Sequence, residues 1–292
     1  PLTVEIELTA SDADLPTTLC LHHFLIVADG TTDFSKGNGT GPFLIEVFEP
    51  GVRSVHTRNP NYFKPSLPHL DSFEFFAIQD ETTRVNALLA GQIHIAAAIN
   101  PRSVRTVEAS GTARAASSLS GNYTNLIIRL DMDYGLKRDF VEGMKYTIDR
   151  QTIMKFVFRG YGAIGNDQPI SPANRYHNPN LKPRPHDLDR AKYHFRKAGV
   201  LGDNIPLIAS DAVSSSIDMA TVMQGFAAEA GVNLDIQKMP ADGYLTNYWL
   251  KAPFCFGNID PRPTPDSMFS LLYQSSAPWN ESRYKSTKFD AM

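Results

Sequence analysis

Residues 78–97 read IQDETTRVNALLAGQIHIAA. Asp80 is a helix N-cap, a side chain able to accept from the first free amides. Glu81 puts negative charge in the first turn, where the helix dipole favours it. Val85, Leu88 and Leu89 repeat at i, i+3, i+4 and form one apolar stripe. Gly91 falls where a helix end takes a residue of positive φ. Ile93, Ile95 and Ala97 then alternate with Gln92, His94 and Ala96, which predicts a strand. The stretch holds no nucleophile, metal cluster or phosphate loop, so it reads as scaffold.

The same order of helix, glycine and strand returns at 216–239, where SIDMATVMQGFAAEAG leads into VNLDIQKM. Alternating helices and strands with short connections predict an α/β fold. Further strands are expected over 3–9, 43–47, 52–58, 70–78, 122–130 and 205–210. Helices are expected over 101–109, 138–160, from 187 to Gly199, and at the start of 243–254. The segment 256–280 reads as turn-rich with one short helix. Residues 161–186 are rich in Pro, Asn and Gly, and a loop of that length is often functional. The change in texture near 130–140 is the expected domain boundary.

Composition narrows the function. The 292 residues carry a net charge of −3, which argues against a nucleic-acid partner. No run of 18 apolar residues suggests a membrane span. Cys20 and Cys255 are too few for a disulfide scaffold and read as two buried apolar thiols, their pairing left open. Opening at Pro1 and closing at FDAM, the chain is expected to be a piece of a longer or processed protein.

The signs of catalysis are weak. Gly37, Gly39 and Gly41 precede Pro42 and a strand, whereas phosphate loops open helices. No G-x-S-x-G motif occurs. The eight histidines include no H-x-x-x-H pair, so no metal site is expected. No catalytic residue and no cofactor are assigned. An α/β hydrolase-like or metal-assisted enzyme remains the rival reading.

Three segments together carry a resemblance. GTGPFLIEVFEPGVRSVHTRNPNYF (39–63) with DETTRVNALLAGQIHIA (80–96) is the first. GMKYTIDRQTIMKFVFRGYGAIGND (143–167) and YHNPNLKPRPHDLDRAKYHFRKAG (176–199) are the second and third. In order and spacing they resemble the extracellular solute-binding proteins of ABC importers, family 5, the peptide/nickel type. The resemblance covers most of residues 36–289. It implies a two-lobed periplasmic binding protein-like fold (type II, cluster C type), incomplete at both ends. Residues 1–130 would be part of lobe I and 131–292 most of lobe II. It further implies a monomer in the periplasm, or lipid-anchored at the cell surface. Such a protein delivers a peptide or related small polar solute to a membrane permease. A sensor or chaperone role on the same fold is not separable by sequence.

Two segments are expected to touch the solute. SGNYTNL (120–126) offers Asn122, Tyr123 and Thr124, and precedes the texture boundary. FGNIDPRPTPDSMF (256–269) resembles the family's second-lobe ligand loop and offers Asp260, Arg262, Thr264 and Asp266. Peptide-binding members often carry an acid there. Arg262 instead resembles a W-G-G-R-P-T-x-D subgroup, though Ile259 stands where its Trp would be. A guanidinium fork suits a carboxylate, which hints at an anionic group on the solute. Trp279 and Tyr273 are aromatic candidates, with core packing the plainer role.

Overall fold

The computed structural model describes residues 3–34, 37 and 39–292; Asn38 of the Gly37–Gly41 turn lies outside them. The chain divides into two compact units, Pro1–Ala97 and Ala98–Met292. The strand that precedes residue 130 is hydrogen-bonded within the second unit.

The first unit holds a short helix, α1 (Leu15–Thr18), and an antiparallel meander of β1 (Phe43–Glu49), β2 (Arg53–Arg58) and β3 (Ser72–Phe76). His56 of β2 lies opposite Phe73 of β3, and their rings stack at 4.5 Å. Helix α2 (Glu81–Leu89) follows as its sequence predicts. Asp80 accepts from the Thr83 amide at 2.7 Å. Gly91, at φ +71°, closes the helix with two bonds, Gly91 N–H to Leu88 O and Gln92 N–H to Ala87 O. The strands expected over 93–97 and 3–9 do not form. Neither segment has a partner strand among the described residues, and Ile95 and Val4 are each 84% exposed. An alternating pattern supplies a face but not the ladder that makes a strand.

The second unit begins with α3 (Pro101–Ala109), whose Val104 and Val107 are buried. Its sheet has the order β4-β7-β5-β6: β4 (Tyr123–Ile128), β7 (Phe254–Ile259), β5 (Asn204–Ser210) and β6 (Asn233–Met239). β4 runs antiparallel to β7, while β5 runs parallel to both β6 and β7. β7 was not expected from sequence. Its apolar run Phe254–Phe256 is cut by Gly257 and Asn258, yet every residue but Asn258 is buried. Interior position in the sheet, not intrinsic preference, makes it a strand.

Helix α4 (Arg138–Thr147) packs along α6 (Leu188–Ala198), and α7 (Ser216–Glu229) crosses from β5 to β6 and packs on both. Phe140, Met144, Phe195, Leu207, Met223, Leu234 and Phe256 join in one core. Burying each such side chain contributes about 1.5–3 kcal/mol. The helix expected over 138–160 is two. It breaks at Ile148–Asp149, where Asp149 accepts from the amides of Gln151 and Thr152 and starts α5 (Arg150–Phe156). The remaining helices are short: α8 (Tyr244–Asn247), α9 (Pro265–Leu272) and α10 (Thr287–Asp290). The segment 161–186 is loop throughout, as expected. Among the described residues no helix is long and apolar enough to cross a membrane.

Both cysteines are free. Cys255 is buried, and burial pushes its thiol up to about 12. Cys20 is exposed, against the expectation of a buried pair, because its segment packs no core around it.

Candidate functional site

Sheet topology brings the two predicted segments together. Because β4 is antiparallel to β7, Tyr123 at the start of β4 lies opposite Ile259 at the end of β7. The turns before β4 and after β7 therefore meet at one edge. The loop after β5 leaves from that same edge, since β5 and β7 are parallel. Open α/β sheets place ligands outside such strand ends, where the chain order reverses.

At this edge Asn122 Nδ2 donates to Asp260 Oδ1 at 2.6 Å. The Tyr123 hydroxyl lies 3.1 Å from that of Tyr273, and burial pushes the pKa of both phenols up. Thr124 pairs with Asn258 in the ladder and is half-buried. The Arg262 guanidinium stands 5.3 Å above the centre of the Trp279 ring. It spends only long bonds on backbone, 3.3 Å to Asp260 O and 3.4 Å to Pro261 O. Among the described residues no carboxylate oxygen lies within 4.0 Å of it.

Thr264 and Asp266 sit differently. Thr264 is buried as the N-cap of α9, and its side chain accepts from the Ser267 amide at 3.2 Å. That hydroxyl serves the helix. Asp266 is exposed in the first turn of α9, where the helix dipole favours an acid.

A recess of about 200 Å³ opens beside Arg262, lined also by Gly121, Ile170, Ser171, Ala173, Asn174 and Pro261. Of the seven predicted residues, only Arg262 lines it. Four of its walls come from the 161–186 loop. Loop length pointed to that segment, but no motif marked Ser171 or Asn174. The loop is tied down locally: His177 Nδ1 lies 2.7 Å from Ile170 O, and Asn174 Nδ2 donates to Pro263 O at 3.4 Å.

Trp279 leads from Arg262 to a second feature that the sequence does not reveal. Trp279 meets Trp249 edge to face at 5.2 Å. The Trp249 indole N–H donates to Glu281 Oε1, and Asn125 Nδ2 donates to Glu281 Oε2, each at 2.6 Å. Glu281 is buried, and burial pushes its carboxyl up from the ordinary value. Among the described residues no group of three His, Cys, Asp or Glu side chains is arranged to hold a metal.

An α/β unit with polar side chains gathered at one sheet edge has the form of a binding module. The sequence profile of the bacterial extracellular solute-binding proteins, family 5 (middle), matches residues 1–281, and the chain belongs to that family. It is similar to the nickel-binding protein NikA of Staphylococcus aureus, 23% identical over 86% of this chain and 52% of that protein. It is also similar to di/tripeptide-binding protein 3 of Pseudomonas aeruginosa, 22% identical over 82% of this chain and 46% of that protein. The chain thus spans about half the length of these curated relatives. Its fold matches that of the periplasmic binding protein DppA from Helicobacter pylori, solved with the peptide STSA. The TM-score is 0.73 at 23% identity, covering 87% of this chain and 50% of that one. The family is one of solute-binding proteins, not of enzymes.

Proposed function

We propose that this chain is part of the substrate-binding component of an ABC importer. It captures a peptide or related small polar solute between two lobes and passes it to the membrane permease. The protein works as a monomer in the periplasm or anchored at the cell surface. Residues 1–130 contribute to the first lobe and 131–292 form most of the second.

The observation that carries this reading is the edge where Asn122 and Asp260 pair next to Arg262. Polar groups of both signs stand there beside the Trp279 ring, in the turns that flank β4 and β7. Family membership supports binding, and the relatives named for nickel and for di- and tripeptides support a small polar solute. Asn122, Tyr123, Thr124, Asp260, Arg262 and Asp266 are the proposed contacts; Thr264 supports the loop through its cap.

Native mass spectrometry of the intact protein, gently purified from its host, tests this. A discrete added mass that is lost on denaturation is the expected result. A bare protein that shows no thermal shift with peptides, sugars or metal complexes contradicts it, since ligand at a thousand times Kd stabilises by about 4 kcal/mol.

A further inference from the structure

We propose that the recess beside Arg262 is a subsite for a carboxylate group of the solute, gripped by the Arg262 fork and the Ser171 hydroxyl. This rests on the solute-binding reading and names the chemistry at one end of the solute.

Size comes first. The recess, at about 200 Å³, exceeds several-fold the ~30 Å³ share of one water and falls below the ~300 Å³ of a whole-ligand pocket. It takes one end of a solute.

Charge comes second. Arg262 is half-buried, its flat face covered by Trp279. A guanidinium stacked in this way keeps its N–H edge free for a planar partner. Its two backbone bonds are long, and Asp260, the nearest acid in sequence, gives an oxygen to Asn122 instead. A cation held partly out of water with no anion of its own is a receptor for one.

Shape comes third. Gly121 forms part of the recess wall, and a Cβ there would stand 2.5 Å from Pro261 Cβ and 3.1 Å from Ser171 Oγ. The absence of a side chain lets the 170–174 segment approach the 261–262 turn. Ser171 Oγ is thereby brought to the wall shared with Arg262. A carboxylate, with two oxygens in one plane, can accept from the fork on one side and from a hydroxyl on the other.

The test uses acetate as the minimal carboxylate and acetamide as its neutral counterpart, at constant ionic strength set with chloride. The readout is tryptophan emission of the intact protein, with Trp279→Phe identifying the responding indole. A ligand this small binds weakly, so the titration runs to about 100 mM. The expected result is a saturable response to acetate and none to acetamide. Arg262→Gln weakens acetate about tenfold or more, Arg262→Lys weakens it less, and Ser171→Ala weakens it about fivefold. Gly121→Ala, which fills the wall, also weakens it. An equal response to acetamide, no saturable response to acetate, or an unchanged response in Arg262→Gln overturns the subsite. The two readings fail separately. A neutral solute retained by the protein removes the carboxylate subsite and leaves solute binding standing. Acetate binding by a protein that retains and takes up no solute does the reverse.

Discussion

The indole N–H of Trp249 donates to Glu281 Oε1 over 2.6 Å. Asn125 Nδ2 donates to the other carboxyl oxygen, so among the described residues this buried acid is held by two donors and no cation. Trp279, which carries Arg262, meets Trp249 edge to face. Arg262 is therefore linked, through two indoles, to a group whose charge depends on pH.

Burial raises the Glu281 pKa in the folded chain above its ordinary 4.5. The folded state then binds this proton more tightly than the unfolded state. The stability Glu281 contributes is full below about pH 4.5 and is lost as pH rises through the folded value. Glu281→Gln removes that loss. It is tolerated because Asn125 Oδ1, buried without a partner, can turn to accept from the new amide. Melting curves of the two proteins should diverge as pH rises above 4.5, the variant becoming relatively more stable; parallel curves refute the assignment. Glu281→Ala strands two buried donors and should cost roughly 1–3 kcal/mol for each.

Two glycines should respond to alanine with opposite signs. A Cβ on Gly257, in the interior of β7, would stand 2.6 Å from Glu281 Oε1 and 2.7 Å from Ile127 Cδ1. Gly257→Ala should destabilise by about 1–3 kcal/mol. Gly225 lies inside α7 with nothing within 4 Å of such a Cβ. Gly225→Ala should stabilise by about 0.5–1 kcal/mol. Urea titration of both variants decides this, and a shift of the same sign in both contradicts the packing described.

Thr264 separates a cap from a ligand contact. Thr264→Ala should lower stability by about 1 kcal/mol, and Thr264→Ser should keep it, since serine caps equally well. Denaturation of the solute-free protein measures this. Unchanged stability in Thr264→Ala would return the hydroxyl to the list of solute contacts.

The thiols should differ in reactivity. Cys20 is exposed, while Cys255 is buried with its thiol raised to about 12. A thiolate-specific reagent such as Ellman's should label one cysteine quickly and the second only after denaturation. Equal rates would mean the sheet opens around Cys255.

Helix ends were legible because their chemistry is local. Asp80 and Gly91 for α2, and Asp187 and Gly199 for α6, lie within a turn of the groups they satisfy. Strands were less so, because a strand needs a partner that the local pattern does not name. The two helix–glycine–strand segments show this. Gly91 and Gly231 both close a helix at positive φ. Residues 233–239 then pair with β5, while 93–97 have no partner among the described residues. β7 was hidden for the converse reason: its place between β4 and β5 overrides a Gly-Asn break. In the candidate site, Asn122, Asp260 and Arg262 were readable from motif and chain position. Ser171, Asn174 and Glu281 were not, since each meets its neighbours across a long stretch of sequence.

The proposed function is reversible capture of a solute without chemistry. The most direct measurement is calorimetric titration of the intact protein with the solute released from it on denaturation, followed by mass analysis of that solute. Saturation at one solute per protein, with the solute recovered unchanged, is the predicted result. Failure to saturate, or a solute consumed over time, would contradict it.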